Sequence, residues 1–252
     1  MKKLTFHFKK PVNLLVLAGF FVASGFAQAG SYEDFFRAIK RDDAGVITQL
    51  ISRGFDPNTP DPFGQLGLIN ALGEPAPKVI QALVNSSKIK LNILNAKGES
   101  PLMMAAIKGD VTAAQQMIKK GADVNKTGWA PLHYAASGGD ARVIKLLLDN
   151  HAYIDAESPN GTTPLMMASM YGSSEAVQLL LAEGADVSLK NKLGATALQF
   201  AKYGMRPDAI SLLTPASRNQ ESQTTRTRQP GLAPQRQTAP ENTAKPQSTG
   251  EW

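Results

Sequence analysis

The run GADVNKTGWAPLHYAASGGD, residues 121–140, decides the fold. Taken alone, it places His133 beside Tyr134, with Trp129 four residues before the histidine and Asp140 seven after it. Those are the raw materials of a catalytic site, and recurrence favours a scaffold instead. The second half returns as ESPLMMAAIKGD from Glu99, TTPLMMASMYGS from Thr162 and ATALQFAKYGMR from Ala195. Pro101, Pro131, Pro164 and Ala197 share one register, with the first step shorter than the two equal steps that follow. The first half returns as HAYID at 151 and GADVS at 184. Self-similarity of this period marks a stack of supersecondary units, none of which can bury its apolar face alone.

Each repeated position has a physical reason. Ser100 and Thr163 precede the proline and can cap a helix, and proline at the first helical position gives up no hydrogen bond. The small pairs Ala105 and Ala106, Ala135 and Ala136, and Ala168 and Ser169 let successive helices approach closely. Gly109, Gly139, Gly172 and Gly204 end that helix where a left-handed residue is convenient. A second helix follows in VTAAQQMIKK, ARVIKLLLDN and EAVQLLLAE, all with apolar residues at helical spacing. It hands over to a β-turn finger in which Val124, Ile154 and Val187 are expected to point inward.

The pattern resembles the ankyrin repeat, which has the same period and the signature T-P-L-H-x-A. Its register extends backwards one period at a time to Leu68 in GLINAL and Phe35 in DFFRAI, each followed by a weaker finger phrase, KIKLN and GFDPN. The expected fold is an all-α repeat solenoid of about six repeats between Ser31 and Leu213. Each repeat would be a helix-turn-helix with a β-turn finger, and the fingers and first helices would line a concave side. The resemblance gives His133, together with Pro101, Pro131 and Pro164, a structural role, because the family's histidine at this place ties neighbouring loops together. It also implies a non-enzymatic module that binds a protein partner through the concave face and the fingers.

The ends of the chain read differently. MKKLTFHFKK, VNLLVLAGFFVASGF and the AQA at 27–29 supply the basic start, apolar run and small-residue cleavage site of a secretory signal. The expected organisation is a cleaved signal peptide over 1–29, a repeat domain over 30–213 and a tail over 214–252. That tail is rich in Pro, Gln, Thr and Arg, contains Trp252, and is expected to be disordered. The expected location is periplasmic or secreted, in the bacterial style, with membrane association only if the leader stays uncut. With no cysteine there is neither a disulfide nor a lipidated N-terminal cysteine, so packing alone must hold the domain. The formal charge of +6 includes Lys2, Lys3, Lys9 and Lys10, which leaves +2 after Ala29. No concentrated basic face remains for nucleic acid.

Residues that the scaffold leaves unexplained are the candidates for binding. The repeat starting at Trp129 is three residues short between Asn125 and Gly128, and it has Ala130 where a capping threonine belongs. The shortened finger leaves a notch in which Lys126, Trp129 and Tyr134 could form an aromatic anchor, although Trp129 could equally fill the missing space. Met104 and Met167 read as core filler, and Met103 and Met166 stand in the histidine slot. Met170 and Tyr171 lie late on their helix, nearer the concave side, where methionine makes adaptable contacts and is open to oxidation. An alternative role is therefore an accessory or protective factor for a periplasmic enzyme, such as one of oxidative-stress defence. Neither metal nor cofactor is implied, since the three histidines are scattered and H-E-x-x-H is absent. A monomer is expected.

Overall fold

A computed structural model describes residues 30–216. The leader, most of the tail and Trp252 lie outside them. The described residues form twelve helices in six consecutive pairs: α1 (30–40) with α2 (Ala44–Ser52), α3 (Gly67–Gly73) with α4 (Pro77–Asn85), α5 (Pro101–Lys108) with α6 (Val111–Lys119), α7 (Pro131–Gly138) with α8 (Ala141–Asp149), α9 (Pro164–Tyr171) with α10 (Ser174–Ala182), and α11 (Ala197–Tyr203) with α12 (207–216). Among the described residues the one β-bridge joins Pro60 to Leu66. None of these helices is long and apolar enough to cross a membrane. The chain divides into two compact units between Gly98 and Glu99.

In the first unit α4 packs on both α2 and α3. Phe35, fully buried on α1, explains why the second repeat lacks proline. A Cβ on Gly67 would lie 2.4 Å from the Phe35 ring, so glycine stands at the first helical position. This also corrects the register: α3 begins at Gly67, so Leu68 matches Leu102 rather than Pro101, and the step here is one longer than the period. Asp42 adopts a left-handed φ of 53°, and its carboxylate accepts from Val79 N–H at 2.9 Å, where α4 has no side-chain cap of its own.

In the second unit α5, α7, α9 and α11 pack in sequence as an inner row, and α6, α8 and α10 pack as an outer row. Ala105, Ala106, Ala135, Ala136, Ala168 and Ser169 are all buried between them. Gly109 and Gly139 are left-handed caps, with φ of 69° and 77°. Gly172 and Gly204 are not, since their φ values are −78° and −76°. Their reason is contact: a Cβ on Gly172 would sit 2.3 Å from the Ala136 carbonyl oxygen, and one on Gly204 2.7 Å from that of Met170. Gly138 does the same against Ile107, at 2.4 Å. The inner helices therefore run side by side in one direction, backbone against backbone at their C-terminal ends.

The fingers depart from expectation at two points. Val187 is buried, but Val124 and Ile154 are only half-buried, and the core positions of the phrase are Ala122 and Ala185. Each full finger closes on an Asn, Asp or Ser whose oxygen accepts nearby backbone N–H groups. Asp61 takes those of Phe63 and Gln65, Ser158 that of Thr162, and Asn191 those of Leu193 and Ala195. The three residues missing before Gly128 remove this closure from the 121–132 finger.

Candidate functional site

One local hydrogen bond is common to the start of every inner helix of the second unit. Ser100 and Thr163 accept from the N–H groups of Met103 and Met166, and the side chain of the residue three places on reaches back to the cap's own N–H. That return bond is made by the Met103 sulfur (3.3 Å), the His133 Nδ1 (3.1 Å), the Met166 sulfur (3.4 Å) and the Gln199 Oε1 (2.7 Å). The histidine slot is thus a capping slot, buried at Met103, His133 and Met166 and exposed at Gln199. Met103 and Met166 are fully buried, whereas Met104 and Met167, expected as core filler, are half-buried and face outward.

His133 does more than its methionine counterparts. With Nδ1 accepting from Ala130 N–H, Nε2 carries the proton and donates to the Thr162 carbonyl at 2.9 Å, tying its repeat to the next. Burial holds its pKa below the ordinary histidine value, against the opposing hydrogen bonds to Thr162 and Ala130. Fully buried and with both ring nitrogens engaged, it is placed as a structural group, as are Pro101, Pro131 and Pro164, each buried at the first position of its helix.

Trp129 is half-buried and packs against His133 in a T-shaped arrangement, with ring centroids 5.3 Å apart and planes at 74°. The Tyr134 hydroxyl donates to Glu99 at 3.3 Å, and burial together with that carboxylate pushes the phenol up to about 12. Lys126 lies over the shortened finger, its Nζ reaching the Thr127 carbonyl at 3.4 Å. Met170 is half-buried and Tyr171 is 59% exposed. These candidates form two groups. Trp129 and Lys126 sit at the finger end of α7, while Met170 and Tyr171 sit at the opposite end of α9, roughly 12 Å along helices of this length.

Between them runs a surface that repeat phrases alone did not reveal. The outward positions of the inner helices carry Met104, Tyr134, Met167 and Phe200 in one row, and Ile107, Ser137, Met170 and Tyr203 in the next. Tyr203 is 67% exposed. Lys108 adjoins these rows, and Glu99 is held by Tyr134. The signal was available in the helical spacing, since positions three and four apart share a face.

A second feature ties the fingers together. Asn58 donates to the Lys88 carbonyl and accepts from Lys90 N–H, and Asn125 makes the same pair of bonds with His151 and Tyr153. Asp155, in the equivalent place, accepts from Asp186 N–H. Burial raises its pKa above the usual carboxylate value; the hydrogen bond from Asp186 N–H opposes this and the Asp186 charge adds to it. Among the described residues no group of three acidic or histidine side chains could hold a metal ion.

Comparison with known proteins agrees with this geometry. The family profile of ankyrin repeats in three copies matches residues 35–127, 68–158, 114–191 and 132–226. Curated relatives include ankyrin repeat and SAM domain-containing protein 6 of Rattus norvegicus, 30% identical over 88 residues, which are 33% of this chain and 10% of that protein. Protein phosphatase 1 regulatory subunit 27 of Mus musculus is 30% identical over 81 residues, 31% of this chain and 53% of that protein. The 2-5A-dependent ribonuclease of Mus musculus is 40% identical over 67 residues, 25% of this chain and 9% of the enzyme. The chain thus spans about half or less of these relatives. Among solved structures, one chain of the Bd0816 predatory endopeptidase from Bdellovibrio bacteriovorus in complex with immunity protein Bd3460 is similar. It is 26% identical, with a TM-score of 0.61, covering 72% of this chain and 97% of that one.

Proposed function

The chain belongs to the ankyrin-repeat family, and on that premise we propose that it is an exported, non-enzymatic module that holds one protein partner against the outward rows of α5, α7, α9 and α11 and the adjoining fingers. The observation that carries this reading is the composition of those rows. Methionine, tyrosine, phenylalanine and isoleucine stand outward on consecutive helices, where a solvated face would carry charge. Aromatic residues dominate interface energies, and methionine adapts to a partner's shape. Fold analogy lends general support, since the family acts as a protein-interaction module.

The partner favoured here is an exported hydrolase whose activity the chain holds in check. Its support is the similarity to a chain of an endopeptidase–immunity complex, of which this chain matches 97%. The leader-like residues 1–29 supply the matching route to the periplasm. The test is capture of periplasmic hydrolases by residues 30–252, with the hydrolytic rate of any captured enzyme measured with and without the chain. Tyr171→Ser combined with Tyr203→Ser is expected to weaken binding tenfold or more without unfolding, because both rings are exposed. Equal affinity of wild type and variant would place the interface elsewhere. A captured enzyme whose rate is unchanged would remove the inhibitory role.

A further inference from the structure

The first unit has a cleft of about 550 Å³ that the inner-row face does not use. It is lined by Tyr32, Phe36 and Ile39 of α1 and by Asp61 and Asn70 from the finger and helix that follow. Tyr32 and Phe36 pack ring to ring at 4.9 Å, and Phe63, 85% exposed on the fingertip, forms a third aromatic wall at the rim. Its size is that of sites that enclose a small molecule or one large side chain.

Among the charged residues that line the cleft Asp61 is the one that is not fully exposed. Against the opposing effect of burial, hydrogen bonds from Gln65, Asn70 and Phe63 hold its carboxyl below the usual carboxylate value. Its Oδ1 accepts from Phe63 and Gln65 N–H at 2.9 and 2.8 Å, and its Oδ2 accepts from Asn70 at 3.1 Å. Neutral residues close the equivalent turns elsewhere: Asn95 accepts from Lys97 N–H, Ser158 from Thr162, and Asn191 from Leu193 and Ala195. A neutral acceptor therefore suffices to close the backbone turn. A carboxylate offers about four acceptor positions, so Oδ2 retains capacity for one more donor. The cations at the rim are Arg37 and Lys40, and Arg37 is committed to Asp34 at 2.8 Å. Glu33 and Glu74 complete the rim.

We propose that this cleft receives a guanidinium side chain, an arginine of a protein partner, stacked on the Tyr32 and Phe36 rings and hydrogen-bonded to Asp61. A planar cation matches both features at once, since it stacks on aromatic faces and donates to carboxylates in a fixed fork. The arginine's methylene stem would lie against Phe63 and Pro62.

The inference extends the protein-binding reading to a separate surface, and its test needs no partner. N-acetyl-arginine amide is titrated into isotope-labelled chain 30–252 and followed by amide chemical shifts, beside N-acetyl-citrulline amide, a neutral isostere. Saturable shifts at Phe63, Gln65 and Asn70 are expected with the arginine probe, with citrulline binding roughly tenfold more weakly or less. Asp61→Asn should lower the arginine affinity by a similar factor while keeping the finger's amide pattern, because asparagine closes the sibling turns. Phe63→Ala should weaken both probes alike. Equal binding of the two probes, unchanged affinity in Asp61→Asn with the finger intact, or no saturable shift at these residues would overturn the proposal. An arginine site in a chain that captures no hydrolase would leave this inference standing and remove the proposed partner.

Discussion

At the scale of single residues, His133 shows how a catalytic-looking group is absorbed by the fold. Its ring is buried and neutral, so the folded chain resists the proton that the unfolded chain takes up near pH 6.5. A histidine held below its ordinary value contributes stability that is whole above about pH 6.5 and falls as pH drops below it, by up to about 1.4 kcal/mol per unit. His133→Gln is expected to cost about 1 kcal/mol at pH 7, since glutamine at 199 makes the equivalent capping bond. The deficit should shrink or reverse near pH 5, read from urea denaturation of both chains at each pH. A constant deficit would mean the ring is not protected from protonation. Asp155 carries the opposite sign. Its raised pKa makes the charged form a liability above that value, relieved as acid titrates the carboxyl. Asparagine in the same place at 58 and 125 both accepts and donates, which a carboxylate cannot do. Asp155→Asn should therefore stabilise the chain by about 1 kcal/mol at pH 7, with the gain fading in acid. A loss of stability at pH 7 would show that Asp155 has a charge-dependent role absent from the finger geometry. This ladder was written in the fifth letter of each GADVN phrase. Seeing it required knowing that one finger's side chain reaches the next finger's backbone, which no local spacing states.

At the scale of elements, the glycines separate into two physical kinds that look alike in sequence. Gly121 has φ of 89° with open space around its would-be Cβ, so alanine there meets only the left-handed backbone penalty, about 1–2 kcal/mol. Gly172 has an ordinary φ, and alanine there would drive a Cβ to 2.3 Å from the Ala136 carbonyl oxygen. Gly172→Ala should cost about 1–3 kcal/mol by pushing α9 from α7, and it should alter amide shifts along both helices, whereas Gly121→Ala should perturb only its own turn. Calorimetry and amide spectra of the two variants distinguish them, and shifts confined to the turn in both would refute the contact argument. Helix starts were legible because capping is local: Ser100, Thr163 and the prolines each act within one turn. The outward face of Met104 and Met167 was misassigned because two adjacent methionines differ only by the rotation that separates neighbours on a helix, and the buried one is fixed by what it caps.

At the scale of the whole molecule, the period announced six repeats but not the division at residue 98. Evenly spaced copies look equivalent to a reader of phrases, while stability in a repeat array is a sum of each repeat's own terms and its neighbour interfaces. The two halves differ in those terms. In the first unit α3 and α4 both begin without a side-chain cap, and Gly67 replaces proline to admit Phe35. In the second, four helix pairs follow one another, capped at α5, α6, α8, α9 and α10 by side chains. Met103, Met117, Leu132, Ile144, Leu147 and Leu165 are fully buried among them. About three stacked repeats are needed for an array to hold its core. Residues 99–216 alone should therefore unfold in a single cooperative thermal transition followed by circular dichroism, and residues 30–98, with two pairs, should not. Cooperative folding of 30–98 alone would show that the Phe35 and Gly67 packing supplies more than the missing caps remove. A 99–216 fragment without a transition would make the first unit a required template on which the better-capped repeats assemble.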